Sequence, residues 1–382
     1  MIQKQLVFPY EAGQSLPEKL DFGFIPDLVI VLGPTRFFKG NEIVSKWKEL
    51  LPDSVFAGSS TAGVIAGSRV FDDSVVVSGL KFSASSVKFY SVNLKESEGS
   101  EASGRTLIKR FPSEGLRHVF ILSDGLLVNG TELVNGILSE LPSGVNVTGG
   151  LAGDGALFSE TFVINEEGLC ETGVISAIGF YSDVLKVGYG SMGGWDSFGI
   201  ERIVTRSEKN VLFEIDNQPA LKLYKSFLGE KADGLPGTGL LFPLSVRIKV
   251  DSEPVVRTIL AIDEVTQSLT FAGDVPEGAS VKLMKANVDR LIDGAEGAGN
   301  VSVLDFENTD DVFAILVSCV GRKLVLKQMV EEEVEAVNQS LGERSLVTGF
   351  YSYGELAPFL KDTSCELHNQ TMTVTAIKEG VV

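Results

Sequence analysis

Residues 31–63 recur as residues 121–153, ninety positions later and without a gap. Nine of the 33 pairs are identical: Leu32/Leu122, Gly40/Gly130, Glu42/Glu132, Val44/Val134, Leu51/Leu141, Pro52/Pro142, Val55/Val145, Ala62/Ala152 and Gly63/Gly153. Unrelated segments match at roughly 6–7% of positions, about two here. A pattern written twice constrains the chain to build one supersecondary unit twice. Each copy reads as strand, loop, helix, Leu-Pro, strand, glycine cluster. Residues 28–32 and 119–122 are short continuous apolar runs, which suit strands buried on both faces of a parallel sheet. Asn41 and Thr131 are placed to cap the helices, with Glu42 and Glu132 in the first turn, and Pro52 and Pro142 close them. A further match at an offset of 98, Ser78/Ser176, Phe82/Phe180 and Lys88/Lys186, extends the duplication to about 29–89 and 119–187 and implies eight inserted residues around 154–173.

The second half changes character. Alternating segments at 202–207, 244–250, 255–262, 268–272 and 280–284 suggest antiparallel strands with one covered face. Helices are expected at 219–228, 286–298 and 324–341, the last with Glu331, Glu332, Glu333 and Glu335 on a solvated face. The fold class is α/β to α+β: two repeated β-α-β units in residues 1–212, then a strand-rich mixed part in 213–382.

Composition removes whole function classes. With 33 Lys and Arg against 51 Asp and Glu the net charge is −18, and no local basic patch offsets it, so nucleic-acid and membrane-surface partners are excluded from the reading. The longest stretch free of charged residues, 54–68, is too short and too polar for a membrane helix. Residues 1–5 lack an export signal, which gives a cytoplasmic expectation. Three scattered cysteines, Cys170, Cys319 and Cys365, suit reduced thiols better than a disulfide framework. Only His118 and His368 are present, too few for a His-rich metal site. His118 runs into an apolar strand and reads as structural.

Two glycine clusters, Gly58-Ser59-Ser60-Thr61-Ala62-Gly63 and Thr148-Gly149-Gly150-Leu151-Ala152-Gly153-Asp154-Gly155, end the two repeat units at the carboxyl ends of strands, where open α/β sheets bind ligands. Such loops can aim backbone N–H groups at an anion, with hydroxyls from Ser59, Ser60 and Thr61. The competing reading is glycine required for tight turns or bulges. The first cluster is one residue short of a serine-hydrolase elbow and precedes no helix, and no glycine cluster ends in the Gly-Lys-Ser/Thr of a nucleotide loop. A third polar cluster runs from Tyr353 and Glu355 to Cys365, His368, Asn369 and Gln370.

In combination these motifs resemble the FIST family (F-box and intracellular signal transduction), with both its N-terminal and C-terminal parts. The resemblance rests on Gly58–Gly63, Leu122-Ser-Asp-Gly125, Gly149–Gly155, Gly193-Gly-Trp195, Thr205-Arg206, Asn210–Asp216, Leu240–Leu244, Gly273–Gly278, Ser318-Cys-Val-Gly-Arg322, Gly349–Glu355 and Leu367–Thr371. It covers nearly the whole chain. Two departures stand out: Ser59 and Val64 occupy positions where members often carry Cys and Glu.

The resemblance implies an intracellular sensory module that binds small molecules, with amino acids as proposed ligands, and some members look like haem proteins that sense nitric oxide and regulate a partner histidine kinase. No output-domain signature accompanies the two FIST parts, so either a signal passes through a partner protein or the binding serves something other than signalling. The ligand reading places an amino-acid-like carboxylate on Ser59, Ser60, Thr61, Gly149 and Gly150, its ammonium on Asp154 or Glu355, with Arg206 and Arg322 as charge partners and Tyr353, His368, Asn369 and Gln370 completing the site. No resident cofactor or metal is expected, unless haem binds through His368. An enzyme built on Asp124, Asp154, Glu355, Cys365 and His368 ranks third, because no nucleophile-base spacing supports it.

Overall fold

The computed structural model describes residues 1–11, 16–40, 42–248, 253–359 and 363–380. Helices supply 25% and strands 41% of this mixed α+β fold. Three units of one connectivity make its core. Leu28–Gly33, Val55–Ser60 and Ser74–Lys81 form the first; Leu116–Ser123, Asn146–Leu151 and Val174–Tyr181 the second; Phe313–Cys319, Leu346–Ser352 and Met372–Glu379 the third. In each, the first two strands run parallel and the third lies antiparallel on the other side of the first. The opening strands of the first and third units are buried throughout and that of the second is buried except at Arg117, as continuous apolar runs require.

The units trade strands in a ring. Ser86–Asn93 pairs with Val174–Tyr181, Leu185–Met192 with Met372–Glu379, and Ile2–Pro9 with Ser74–Lys81. A second exchange runs the other way round: Val64–Ala66 joins Leu346–Ser352, Val163–Ile164 joins Val55–Ser60, and Gly354–Pro358 joins Asn146–Leu151. Three six-stranded sheets result, each holding strands from more than one unit. Apolar side chains such as Ile30, Phe120 and Val317, one from each unit, meet in a shared core.

The ladders also set the repeat's register. Val29 opposite Gly79 corresponds to Val119 opposite Gly179, and Gly33 opposite Ser60 to Ser123 opposite Leu151. Matched this way, the second strands stand one residue further apart than the ungapped identities place them, and the third strands align Gly79 with Gly179 instead of Ser78 with Ser176. Gly58, Gly149 and Gly349 become equivalent. A Cβ at these positions would lie 1.9 Å from Val31 O, 2.1 Å from Ile121 O and 2.2 Å from Leu316 O, so the first and second strands approach too closely for any side chain. What the sequence suggests as glycine loops is therefore buried strand through Ser60 and Leu151, with the turns beginning only afterwards.

Residues 195–286 form a lobe inserted between the second and third units. Its eight-stranded antiparallel sheet, centred on Trp195–Glu208 and Ser280–Ala286, carries the helix Ala220–Leu228, whose Leu221, Tyr224 and Leu228 pack on Val204, Leu212 and Phe271. By sheet membership, residues up to Gly193 and from Val288 belong to the core.

Several local expectations change. The helix N-cap before Glu132 is Asn129, whose Oδ1 accepts from Glu132 N at 3.1 Å, while Thr131 lies inside the helix; Asn41 lies outside the described residues. The expected helix 324–341 is two, Val320–Leu326 and Val330–Leu341, separated at Lys327 with φ of 53°. Expected strand 255–262 divides into Val255–Arg257 and Ile259–Asp263, and residues 249–250 of the expected strand 244–250 lie outside the described residues. Glu333, expected on a solvated face, is wholly buried because Arg322 meets it there.

Candidate functional site

Just beyond the second strand of each unit the chain turns into a neighbouring sheet, and these three turns are tied in a ring. Ala62 N–H donates to Tyr351 O at 2.9 Å, Gly153 N–H to Ser60 O at 3.1 Å, and Tyr353 N–H to Leu151 O at 3.1 Å. The ring sits where α/β sheets offer ligand sites, but its polar groups face inward. Ser60 Oγ accepts from Phe162 N at 3.0 Å, and Thr61 Oγ1 donates to Gly33 O at 3.2 Å. Gly149 and Gly150 lie in the ladder of Asn146–Leu151. Ser59 Oγ is buried with no partner among the described residues.

The open space lies beside this ring, between the core and the lobe. Asp154 accepts backbone N–H groups from Phe158 at 2.8 Å, Ser159 at 2.7 Å and Glu160 at 2.9 Å, and Tyr353 Oη also donates to it. These bonds fold residues 154–160 into a tight loop and leave Asp154 engaged. The loop holds Phe158 at φ of 51° and lays its ring on Tyr353, with centroids 4.5 Å apart and planes at 17°. Gly125 also lies against Tyr353, close enough that a Cβ would come within 3.1 Å of Cδ2. Burial first, and then the Asp154 carboxylate, push the Tyr353 hydroxyl's pKa upward, so it stays a donor.

Two cavities meet at Phe158 and Leu260. One, of about 500 Å³, is walled by Phe158, Leu240, Leu241, Ile259, Leu260 and Leu324. The other, of about 240 Å³, is bounded by Leu126, Phe158, Asn210, Leu260, Phe271 and Tyr353. Core loops supply one wall and lobe strands the other, a common setting for small-molecule sites.

Of the residues singled out from sequence, Tyr353 borders this cleft and Asp154 shapes it. The others lie elsewhere. Arg322 is fully buried, donating to Glu333 Oε2 from Nε at 2.9 Å and from Nη2 at 2.7 Å, to Gly193 O at 2.9 Å and to Leu291 O at 2.7 Å. Arg206 is an exposed lobe residue, 3.5 Å from Glu214 and stacked over Phe213. Glu355 is buried with its carboxyl accepting from Ser352 Oγ at 2.5 Å, Thr371 N at 3.2 Å and Thr371 Oγ1 at 3.1 Å. Desolvation raises its pKa to about 8 against the opposing pull of those bonds. Gln370 ties core to lobe: its Nε2 donates to Leu240 O at 3.2 Å, and its carbonyl accepts from Trp195 Nε1 at 3.0 Å. Asn369 is buried beside it, with both side-chain polar atoms unpartnered among the described residues. Phe158 and Leu260 are among the cleft residues that sequence reasoning missed, because single apolar residues in loops and edge strands carry no periodic signal.

His368 does not fit a haem ligand as placed. Its Nε2 lies 3.0 Å from Ala357 O, its ring packs 5.7 Å from that of Phe359, and it lines neither cavity of the cleft. Burial lowers its pKa to about 4. His118 is a core residue 2.8 Å from Thr148 Oγ1, its pKa lowered by burial to about 3. Among the described residues no group of three or more His, Cys, Asp or Glu is placed to hold a metal ion, and no helix is long and apolar enough to cross a membrane.

No curated protein matches the sequence. Among solved structures, the crystal structure of cyanuric acid hydrolase from A. caulinodans aligns over 78% of this chain and 100% of that chain, at 8% identity and a TM-score of 0.19, too poor a superposition to transfer anything. Family models are decisive: the FIST N domain matches residues 27–218 and the FIST C domain residues 220–358. FIST domains are sensory domains of signal transduction. Matched by both over nearly its whole length, this chain belongs to the FIST family.

Proposed function

We propose that this protein senses a small molecule held in the cleft between the core and the lobe, acts without catalysis, and passes the bound state to a signalling partner such as a histidine kinase. The observation carrying this reading is the pair of cavities, about 500 and 240 Å³, that meet at Phe158 and Leu260. Their walls are mainly apolar, so the ligand presents an apolar body. An amino-acid-like ligand would keep its charged ends at the water-facing mouth, because Asp154 and Arg322 are already engaged inside the protein. Transmission from the cleft is supported by bonds that tie its wall to both parts: Gln370 bonds to Leu240 in the cavity wall, Trp195 bonds to Gln370, and Arg322 fixes Gly193 where the chain crosses into the lobe.

The test is a thermal-shift screen of amino acids and metabolites on the full chain, repeated on Leu260→Arg. Leu260 is 38% exposed, so the arginine can enter the cleft without disturbing the fold. A ligand at a hundred times its Kd stabilises by about 2.7 kcal/mol. The expected result is a ligand-dependent rise in Tm that the variant loses. A rise of equal size in Leu260→Arg would move the site out of the cleft.

A further inference from the structure

The smaller cavity has a more specific character than the cleft as a whole. Phe158 and Tyr353 border it stacked ring on ring, with Gly125 also close to Tyr353, while the Phe271 ring is buried in the lobe core. Aromatic walls of this kind favour a flat ring, through stacked or edge-on contacts with centroids roughly 4.5–7 Å apart. Two amides stand among these walls, and one of them, Asn210, has an open acceptor. Its Nδ2 donates to Phe271 O at 2.8 Å, which fixes the amide's orientation, while its Oδ1 accepts no hydrogen bond among the described residues. Asn129, the other amide on this wall, has both ends in use: Oδ1 accepts from Glu132 N at 3.1 Å and Nδ2 donates to Asp274 Oδ1 at 3.3 Å. Backbone donors nearby are occupied as well, Leu126 N and Leu127 N by Asp124 Oδ1, each at 2.8 Å.

Resting on the cleft reading above, we infer that the smaller cavity binds a nitrogen-containing aromatic ring whose ring N–H donates to Asn210 Oδ1. Phe158 and Tyr353 select for flatness; Asn210 selects for the donor. A volume of about 240 Å³ suits one or two fused rings.

Indole and 1-methylindole, which differ in that N–H, are the probes, titrated calorimetrically into the full chain. Indole is expected to bind about five-fold more tightly than 1-methylindole, the worth of one neutral hydrogen bond. That difference closes in Asn210→Ala and persists in Asn210→Asp, which keeps the acceptor. Phe158→Ala weakens both probes together. Equal affinity of the two probes for the unsubstituted protein would overturn the inference. So would silence toward indole while some other metabolite still binds in a manner sensitive to Leu260→Arg, an outcome that leaves the cleft reading intact. Absence of any binding sensitive to Leu260→Arg would remove both.

Discussion

Arg322 and Glu333 form an ion pair with no exposed surface on either side chain, Nη2 to Oε2 at 2.7 Å. Both groups are held by further hydrogen bonds: Glu333 also accepts from Ser318 Oγ at 3.1 Å and Tyr351 Oη at 2.7 Å, while Arg322 donates to Gly193 O and Leu291 O, one on each side of the lobe insertion. Removing one partner leaves a buried charge uncompensated. Arg322→Met is therefore expected to destabilise by about 3–5 kcal/mol in urea unfolding. A loss below about 1 kcal/mol would mean that water reaches the pair.

Glu355 gives stability a pH dependence whose sign follows from its raised pKa. Between the unfolded value of 4.5 and about 8 the folded state keeps a proton that the unfolded state has lost, so stability falls as pH rises through this window and levels off above it. Glu355→Gln, which carries no charge to bury, is expected to flatten that part of the profile and to be the more stable form at pH 9. A profile identical to that of the unsubstituted protein would place the titration elsewhere.

Glycine positions separate into two kinds. At Gly149, with φ of 154° and Ile121 O 2.1 Å from a would-be Cβ, alanine forces the strands apart, and the expected cost exceeds about 4 kcal/mol or prevents folding. Gly155, with φ of 79° and open space around it, should lose only about 1 kcal/mol to alanine, since conformational strain is all that changes. Equal losses in thermal unfolding would contradict the close approach of the first and second strands.

Burial pushes the Cys319 and Cys365 thiols up, and Cys170 to about 12. Thiolate is the reactive form, so a disulfide reagent at pH 8 should label the native protein slowly and all three cysteines in denaturant. Rapid native labelling of Cys319 would show that the end of Phe313–Cys319 opens.

Added haemin is expected to give no sharp Soret band that depends on His368, because Nε2 is held at Ala357 O. A band present in the unsubstituted protein and absent in His368→Ala would require that bond to break on binding.

The strands and most helices of the first two units are legible in the sequence because a buried strand must be apolar and a helix must end before proline. Gly58 and Gly149 are equally visible, but their cause is not: a ligand loop and a strand pressed against a neighbouring carbonyl demand the same residue. Asp154 shows the same limit. Its place after a glycine cluster suggests a ligand contact, whereas the folded loop brings three backbone N–H groups and Tyr353 Oη to it. Glu333 lies in a run of acids that reads as a solvated face until Arg322 meets it from another helix.

The sequence by itself determined that one β-α-β unit is used more than once, that its opening strands are buried, and that the chain bears both FIST parts. Only the tertiary structure decided that a third unit, Phe313–Cys319 through Met372–Glu379, completes the ring and that Ile2–Pro9 closes it. The reason is physical: burial constrains a strand's residue types locally, whereas strand partners and the polar groups left open are fixed by contacts between distant segments. Tyr353 and Phe158 are 195 positions apart in sequence, and stacked ring on ring they border the cleft.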